Sequence, residues 1–172
     1  PAWERCLVGM AVPPVTQVGA GSLNPRQIFQ TSPEQIIIHS EYGDEARIIP
    51  FATAHKPKVL HNTALGDSIA RWEGDTLVVE TTHIPQSQQF MGAWKDLKVT
   101  EKFKRVADDR LYYSFTVEDP TLWDAPWGGE YEFHPLETQR LFEYACHEGN
   151  YALPGILSGA RVEEAKAAGK KY

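Results

Sequence analysis

The sequence predicts an all-β protein, either an antiparallel barrel of eight or nine strands or a strongly curved sheet, with a short C-terminal helix. Nine short runs rich in β-branched and aromatic residues follow one another, separated by turn residues at the spacing typical of sandwiches and barrels. No apolar run approaches the ~20 residues that a membrane helix needs, so no membrane span is predicted. The 172 residues fit one domain, large enough to bury roughly 70% of the surface that the unfolded chain exposes.

Three consecutive parts are predicted along the chain. Residues 1–25 form an extended lead-in, because Pro13, Pro14 and Pro25, together with three glycines, exclude a long helix or a central strand. Residues 26–148 form the barrel, and residues 149–172 form a C-terminal segment in which Ser158 is the expected N-cap of a short charged helix. The nine predicted strands are RQIFQ, EQIIIHSE, EARIIPF, SIARW, TLVVETTHI, LKVTEKFKRV, RLYYSFTVE, GEYEFH and QRLFEYAC.

The clearest hairpin is ARWEGDTLVVET, in which Gly74-Asp75 supplies the positive φ of a two-residue turn. This turn fixes the register of the two strands, and opposite residues of a hairpin point to the same face. One face is then predicted to carry Ala70, Trp72, Leu77, Val79, Thr81 and His83.

A second hairpin turns at Ala107-Asp108-Asp109. Four polar residues mark the outer face of its first strand, so alternation places Glu101 on the inner face, together with Leu97, Val99 and Phe103. The returning strand completes the inner wall with Leu111, Tyr113, Phe115 and Val117. The hairpin is therefore expected to carry one buried carboxylate in an apolar wall.

Net charge and motifs narrow the function classes. The net charge of −6 argues against a nucleic-acid partner, since such proteins carry a basic surface that releases counterions from phosphates. The sequence contains no GxGxxG, GxxxxGK[ST], GxSxG or HExxH motif and no EF-hand loop. Nucleotide cofactors and the commonest serine hydrolase and zinc protease designs are therefore not expected, and no cofactor is predicted.

The two cysteines, Cys6 and Cys146, stand near opposite ends of the chain. The CxxC and HxxxH spacings of structural zinc sites do not occur. A catalytic cysteine needs a nearby imidazole, and His147 would point to the other face of a strand. Three alternatives stay open: a disulfide in an oxidising compartment, two buried free thiols, or a metal-binding or nucleophilic role.

Histidines are the other metal-binding candidates. His39 and Glu41 would share one face of a strand, as metal ligands of cupin-type sites do, but the opposite face carries Ile36 and Ile38. His39 is therefore expected to face solvent, and no metal site is predicted. The sequence places His55, His61 and His134 in loops or at the surface.

His83 and Glu101 are the predicted catalytic residues. The hairpin registers point both side chains into a largely apolar space, where burial raises a carboxyl pKa and suits acid/base chemistry. Trp72, Tyr113, Trp123 and Trp127 are the expected walls and lid of the substrate site, the last two from loop DPTLWDAPWGG. In the alternative interpretation Glu101 forms a buried ion pair with Arg105 or Arg47, and His83 lies at the rim.

The segments RWEGDTLVVETT, FTVEDPTLWDAPW and EYACHEGNYALPGILSGAR resemble those of a large family of secreted bacterial proteins. A WERC-like start, a QIFQT-like strand and ARIIP precede these segments in the family pattern. The resemblance covers residues 3–161 and implies a β-rich fold, export to a secreted or periplasmic location, and a Cys6–Cys146 disulfide, but no particular reaction. After ARIIP the family pattern often has Asp-Gly-Arg-Pro-His, where this chain has FATAHKPK. This departure removes support for a role of His55 by resemblance.

Three functions are compatible with these patterns. The first is an exported, cofactor-independent lyase, isomerase or hydrolase that binds a hydrophobic or aromatic small molecule in a calycin- or lipocalin-like barrel. The second is a non-catalytic small-molecule carrier or carbohydrate-binding module that uses the same aromatic residues. The third is a structural envelope protein without a sizeable pocket. Assembly into a homo-oligomer is left open by the sequence.

Overall fold

The computed structural model describes residues 5–7, 12–15, 25–57, 64–136 and 140–170. Within these ranges, eight strands precede one α-helix, α1 (Ala152–Ala167). The strands are β1 (Arg26–Ser32), β2 (Gln35–Ser40), β3 (Glu45–Pro50), β4 (Asp67–Glu73), β5 (Thr76–Thr82), β6 (Lys98–Ala107), β7 (Arg110–Glu118) and β8 (Trp127–Phe133). No described helix is long and apolar enough to cross a membrane.

The strands form two antiparallel sheets, one of β1-β2-β3 and one of β4-β5-β6-β7-β8. A single bridge between Phe51 and Ala70 brings the end of β3 next to β4, so the two sheets follow each other as one curved surface. Within the described ranges no ladder joins β1 to β8. A closed barrel is therefore not found, and the strongly curved sheet is the form of the prediction that fits.

Both predicted hairpins are confirmed. Trp72 pairs with Leu77 and Ala70 with Val79 across the Gly74-Asp75 turn, where Gly74 has φ +62. The β6–β7 hairpin turns at Asp108-Asp109, and Glu101 pairs with Phe115. Turn chemistry and alternation were sufficient here because each hairpin is local in sequence and buries one face.

The core lies between the two sheets, where the inward residues of each sheet meet. Alternation explains its membership: β2 buries Ile36 and Ile38, while β5 and β6 bury Val79 and Val99 from the other side. The buried residues that pack together in this core are Val15, Ile36, Ile38, Ile49, Ala70, Leu77, Val79, Ile84, Ala93, Leu97, Val99, Phe103, Tyr113, Phe115 and Val117. Val15 comes from the lead-in, most of which lies outside the described residues.

The ninth predicted strand, QRLFEYAC, is wrong over its described part. Residues 140–148 form no strand and instead contact side chains of the turn that follows β2. The Phe142 amide donates to Glu41 Oε2 at 2.7 Å, and the Tyr144 ring packs on Tyr42 with centroids 4.4 Å apart. An alternating apolar pattern can thus serve side-chain docking as well as strand pairing.

The C-terminal helix is confirmed, but its predicted N-cap is wrong. Ser158 lies in the middle of α1, which begins at Ala152, and Asn150 Oδ1 accepts a hydrogen bond from the Ala152 amide at 3.1 Å. Pro154 obscured this start in the sequence, although proline is tolerated in the first turn, where amides lack intrahelical partners.

A disulfide joins Cys6 to Cys146, so the disulfide alternative is confirmed. The two half-cystines are 140 residues apart in sequence, and an Arg5–Glu148 ion pair (2.8 Å) lies beside them. The cross-link therefore ties the start of the chain to the segment that follows the sheets.

Replacing both half-cystines (Cys6→Ser with Cys146→Ser) is expected to lower the free energy of unfolding by about 2–4 kcal/mol, because the open chain regains the entropy of a long loop. Urea unfolding followed by tryptophan fluorescence measures this change. Reduced wild-type protein is the control and should unfold with the double variant. An unchanged midpoint in both samples contradicts the expected stabilising role of the cross-link.

Candidate ligand-binding site

Glu101 is the centre of a buried polar network between the sheets. Its carboxylate is inaccessible to solvent, and its Oε2 accepts a 2.7 Å hydrogen bond from Arg47 Nη2 on β3. Its Oε1 accepts a 2.9 Å hydrogen bond from the Tyr113 hydroxyl on β7. The inward position predicted for Glu101 is confirmed, and the carboxylate forms the Arg47 ion pair of the alternative interpretation.

Arg47 depends on this carboxylate. Only 2% of its side chain is exposed, and Nη2 also lies 3.4 Å from Ser68 Oγ and 3.3 Å from Thr81 Oγ1. Within the described part of the chain, its Nε and Nη1 atoms have no hydrogen-bond acceptor. A buried guanidinium with so few acceptors is stable only because Glu101 offsets its charge.

Val15 closes this network from the lead-in side. The Val15 amide donates both to Glu101 Oε1 (3.1 Å) and to the Tyr113 hydroxyl (2.8 Å). The Tyr131 hydroxyl on β8 donates to the Val15 carbonyl. Both oxygens of Glu101 are therefore engaged in hydrogen bonds within the protein.

Two tyrosines of the network remain hydrogen-bond donors over the usual pH range. Burial, reinforced by the Glu101 charge, raises the pKa of Tyr113 above its ordinary value. Burial also raises the pKa of Tyr131 to about 12. Since neither phenol ionises near neutral pH, Glu101 carries the only negative charge among these three groups.

His83 does not join Glu101. It has a left-handed backbone (φ +56) directly after β5, and this conformation ends the alternation, so that Ile84 is buried in its place. Val79 lies opposite Glu101, and His83 is four residues farther along, roughly 13 Å at strand rise. The His83 ring lies near that of His55 (centroids 6.4 Å apart), and its Nδ1 is 3.2 Å from Thr82 Oγ1.

His55 belongs to a polar cluster at this end of the larger sheet. Its Nδ1 is 2.7 Å from Asp67 Oδ2 and its Nε2 is 3.2 Å from Glu80 Oε1. Lys98 continues the cluster by pairing with Glu80 at 2.9 Å. The sequence prediction of a plain loop residue missed these contacts, because they join parts of the chain that are distant in sequence. His61 lies outside the described residues.

The His39–Glu41 pair, considered above as possible metal ligands, makes other contacts instead. His39 Nε2 lies 2.9 Å from Asp44 Oδ1, whereas Glu41 binds the Phe142 amide. The described ranges contain no group of three or more His, Cys, Asp or Glu side chains arranged to hold a metal ion.

The predicted aromatic walls lie in three different places. Trp72 is 52% exposed and stacks on Phe51 near the turn of its hairpin. Trp123 and Trp127 pack edge to face, with centroids 5.3 Å apart, against the far end of the core. Tyr113 is fully buried in the Glu101 network. None of the four lines the pocket described next.

A cavity of about 590 Å³ opens where the curved sheet fails to close, between β1 and β8. Its volume lies in the range of small-molecule sites, roughly 300–1,000 Å³. Residues of β1, β2, β6, β7 and β8 line it, and residues 134–136 and 140–141 border its mouth. The apolar lining consists chiefly of Val15, Ile28, Ile38, Phe103, Leu111 and Phe133.

Charged residues occupy the rim and one inner wall of this pocket. They are Arg26, Arg105, Arg110, Arg140, Asp108, Asp109 and Glu132. Arg110 lies 3.5 Å from Glu132 and 3.9 Å from Asp109, and Arg105 lies 3.9 Å from Asp108. An apolar interior with a charged margin is a suitable environment for an organic molecule that has one polar end.

No protein-family model, curated protein or solved structure matches this chain. The site is therefore interpreted from its own geometry. The sequence contained one signal for the pocket, namely the inward positions predicted for Phe103 and Leu111. It gave no signal that β1 would form part of the lining, because that depends on the curvature of the sheet.

Replacing Glu101 with Gln is expected to lower the free energy of unfolding by about 3 kcal/mol, because the Arg47 charge then lies buried without a counter-charge. Glu73→Gln is the matched control: that residue pairs with Arg71 at the surface and should change stability by less than about 0.5 kcal/mol. Chemical denaturation measures both. Equal effects of the two substitutions contradict the structural role assigned to Glu101.

Proposed function

We propose that this protein binds a hydrophobic or aromatic small molecule in the pocket between β1 and β8, as a non-catalytic carrier or receptor. The observation that supports the proposal is the pocket itself, a cavity of about 590 Å³ with an apolar lining drawn from five strands. Most residues that form it lie on strands, which hold their side chains in place before a ligand arrives.

The pocket is well suited to transfer of apolar surface from water. Ile38 and Phe103 form its interior, with 1% and 4% of their surface exposed, whereas Ile28 lies at the entrance and is 37% exposed. A ligand that covers this entrance gains roughly 25 cal/mol for each Å² of apolar surface removed from water.

Catalysis at Glu101 receives less support than binding. A general acid or base must come within hydrogen-bond reach of the substrate, but Arg47, Tyr113 and the Val15 backbone already occupy the carboxylate. His83, the proposed partner, lies in the His55 cluster. The binding hypothesis needs neither residue to reach a ligand.

The proposed setting of this function is secreted or periplasmic. A disulfide between distant parts of the chain is typical of proteins from oxidising compartments. The resemblance to secreted bacterial proteins favours the same setting.

Ile28→Trp is expected to weaken binding of a neutral fluorescent probe, phenylnaphthylamine, by about fivefold or more, because the larger ring fills the entrance of the pocket. The measurement is a titration of probe fluorescence, which rises when the probe enters an apolar site.

Ile48→Trp is the matched control for this experiment. Ile48 is 61% exposed on β3 and does not line the pocket, so the same substitution there should leave the probe's Kd unchanged. Failure of the wild-type protein to bind the probe, or an equal loss in both variants, contradicts the proposed function.

A further inference from the structure

The exposed apolar side chains of this protein are concentrated near its C-terminal helix. Thirteen large hydrophobic residues in the described part of the chain are exposed. Five of them lie within residues 142–157, namely Phe142, Tyr151, Leu153, Ile156 and Leu157. Single exposed hydrophobic residues are ordinary, whereas a contiguous group marks a surface that contacts another molecule.

Three of these residues lie on one face of α1. Leu153, Ile156 and Leu157 are three and four positions apart, so their side chains are neighbours on the helix surface. Each of them is at least 46% exposed. Ala160 continues the same face one turn farther along. These four residues are called the α1 stripe below.

The rest of the chain leaves the α1 stripe uncovered. Every residue of α1 is among those described, and none of them is buried. Val162 is partly shielded, and it follows Leu153 by two and a half turns, which places it on the opposite face. A Cβ atom added to Gly155 or Gly159, beside the stripe, would meet no other atom of the described chain within 4 Å.

The sequence of α1 is a weak helix former without such a cover. Gly155 and Gly159 each cost about 1 kcal/mol relative to alanine, and Pro154 is tolerated only because it lies in the first turn. Helices of this length obtain most of their stability by packing an apolar face against a partner. The α1 stripe is that apolar face, so a partner is expected to cover it when the helix is fully formed.

The charge pattern of α1 favours a second copy of this chain as the partner. Residues 149–160 contain no charged side chain. Two copies that each carry a net charge of −6 repel each other over most of their surface, and they can meet most easily where neither presents a charge. A basic protein, which the net charge attracts, finds no acidic group in this segment to bind.

We infer that two copies of this chain pair through the α1 stripe, with the helices antiparallel about a two-fold axis near Ile156 and Leu157. Leu153 of one copy then faces Ala160 of the other, so that large and small side chains fit together. The acidic residues 163–164 of the two copies lie at opposite ends of the contact, whereas a parallel pair would place them side by side. This inference does not depend on the proposed function.

Sedimentation velocity at protein concentrations of roughly 1–300 μM tests the pairing, because a contact of one helix per copy is small and forms a weak dimer. We expect the mass to rise from 19.3 kDa toward twice that value as the concentration increases. Far-UV circular dichroism should show more helix at the higher concentrations, since pairing stabilises the folded helix.

Ile156→Lys is expected to weaken the dimer at least tenfold, because it places two like charges near the two-fold axis while lysine remains a good helix former. Ser158→Lys is the matched control. It adds the same charge to an exposed position of the same helix, away from the stripe, and should change the dimer Kd by less than about twofold. Leu157→Gln, which adds no charge, serves the same purpose if Ile156→Lys does not fold.

The possible outcomes are distinct. A wild-type protein with the mass of one chain at every concentration overturns the inference. A dimer that survives Ile156→Lys and Leu157→Gln, or that Ser158→Lys weakens equally, overturns the assignment to the α1 stripe. A monomer that binds phosphatidylcholine vesicles, and loses this binding in Ile156→Lys, identifies a lipid surface as the partner and overturns pairing. Probe binding, measured as above, tests the proposed function independently.

Discussion

The ion pair of Glu101 with Arg47 is the interaction on which the arrangement of the two sheets depends. Glu101 belongs to the five-stranded sheet and Arg47 to the three-stranded sheet, so their 2.7 Å contact joins the sheets across the core. Tyr113 and the Val15 amide supply the remaining hydrogen bonds to the carboxylate. Buried charges are tolerated only with such partners, and the network therefore restricts the sheets to the geometry that keeps every contact.

The pocket follows from the same restriction. Because β3 and β4 meet at the Phe51–Ala70 bridge while β1 and β8 remain unpaired with each other in the described part of the chain, the curved surface leaves an opening on one side. Strand edges with unsatisfied backbone groups are usually covered. Here the lining residues of β1 and β8 border the cavity, which has an apolar wall and a margin of both positive and negative side chains.

The buried and partly buried titratable side chains form two separate clusters, one around Glu101 and one around His55. The Glu101 cluster is fully buried and joins the two sheets, whereas the His55 cluster, with Asp67 and Glu80, is only partly buried at the other end of β5. A carboxylate and an imidazole on neighbouring strands looked like an acid/base pair in the sequence. His83 lies four residues beyond Val79, the residue opposite Glu101, and its left-handed backbone ends the alternation on which that pairing depended.

The sequence alone determined what is local: eight of the nine strands, both hairpin registers and the inward position of Glu101, because turn residues and alternation act over a few neighbouring residues. Its nine-strand count failed at residues 140–148 and its helix start failed at Ser158, where side-chain docking and a first-turn proline replaced the expected signals. Only the tertiary structure decided which cation Glu101 would meet, where the pocket would open and that Arg26 would lie beside it. These features depend on residues that are distant in sequence, some of them on opposite edges of the curved sheet. A local sequence pattern does not predict the curvature that brings such residues together.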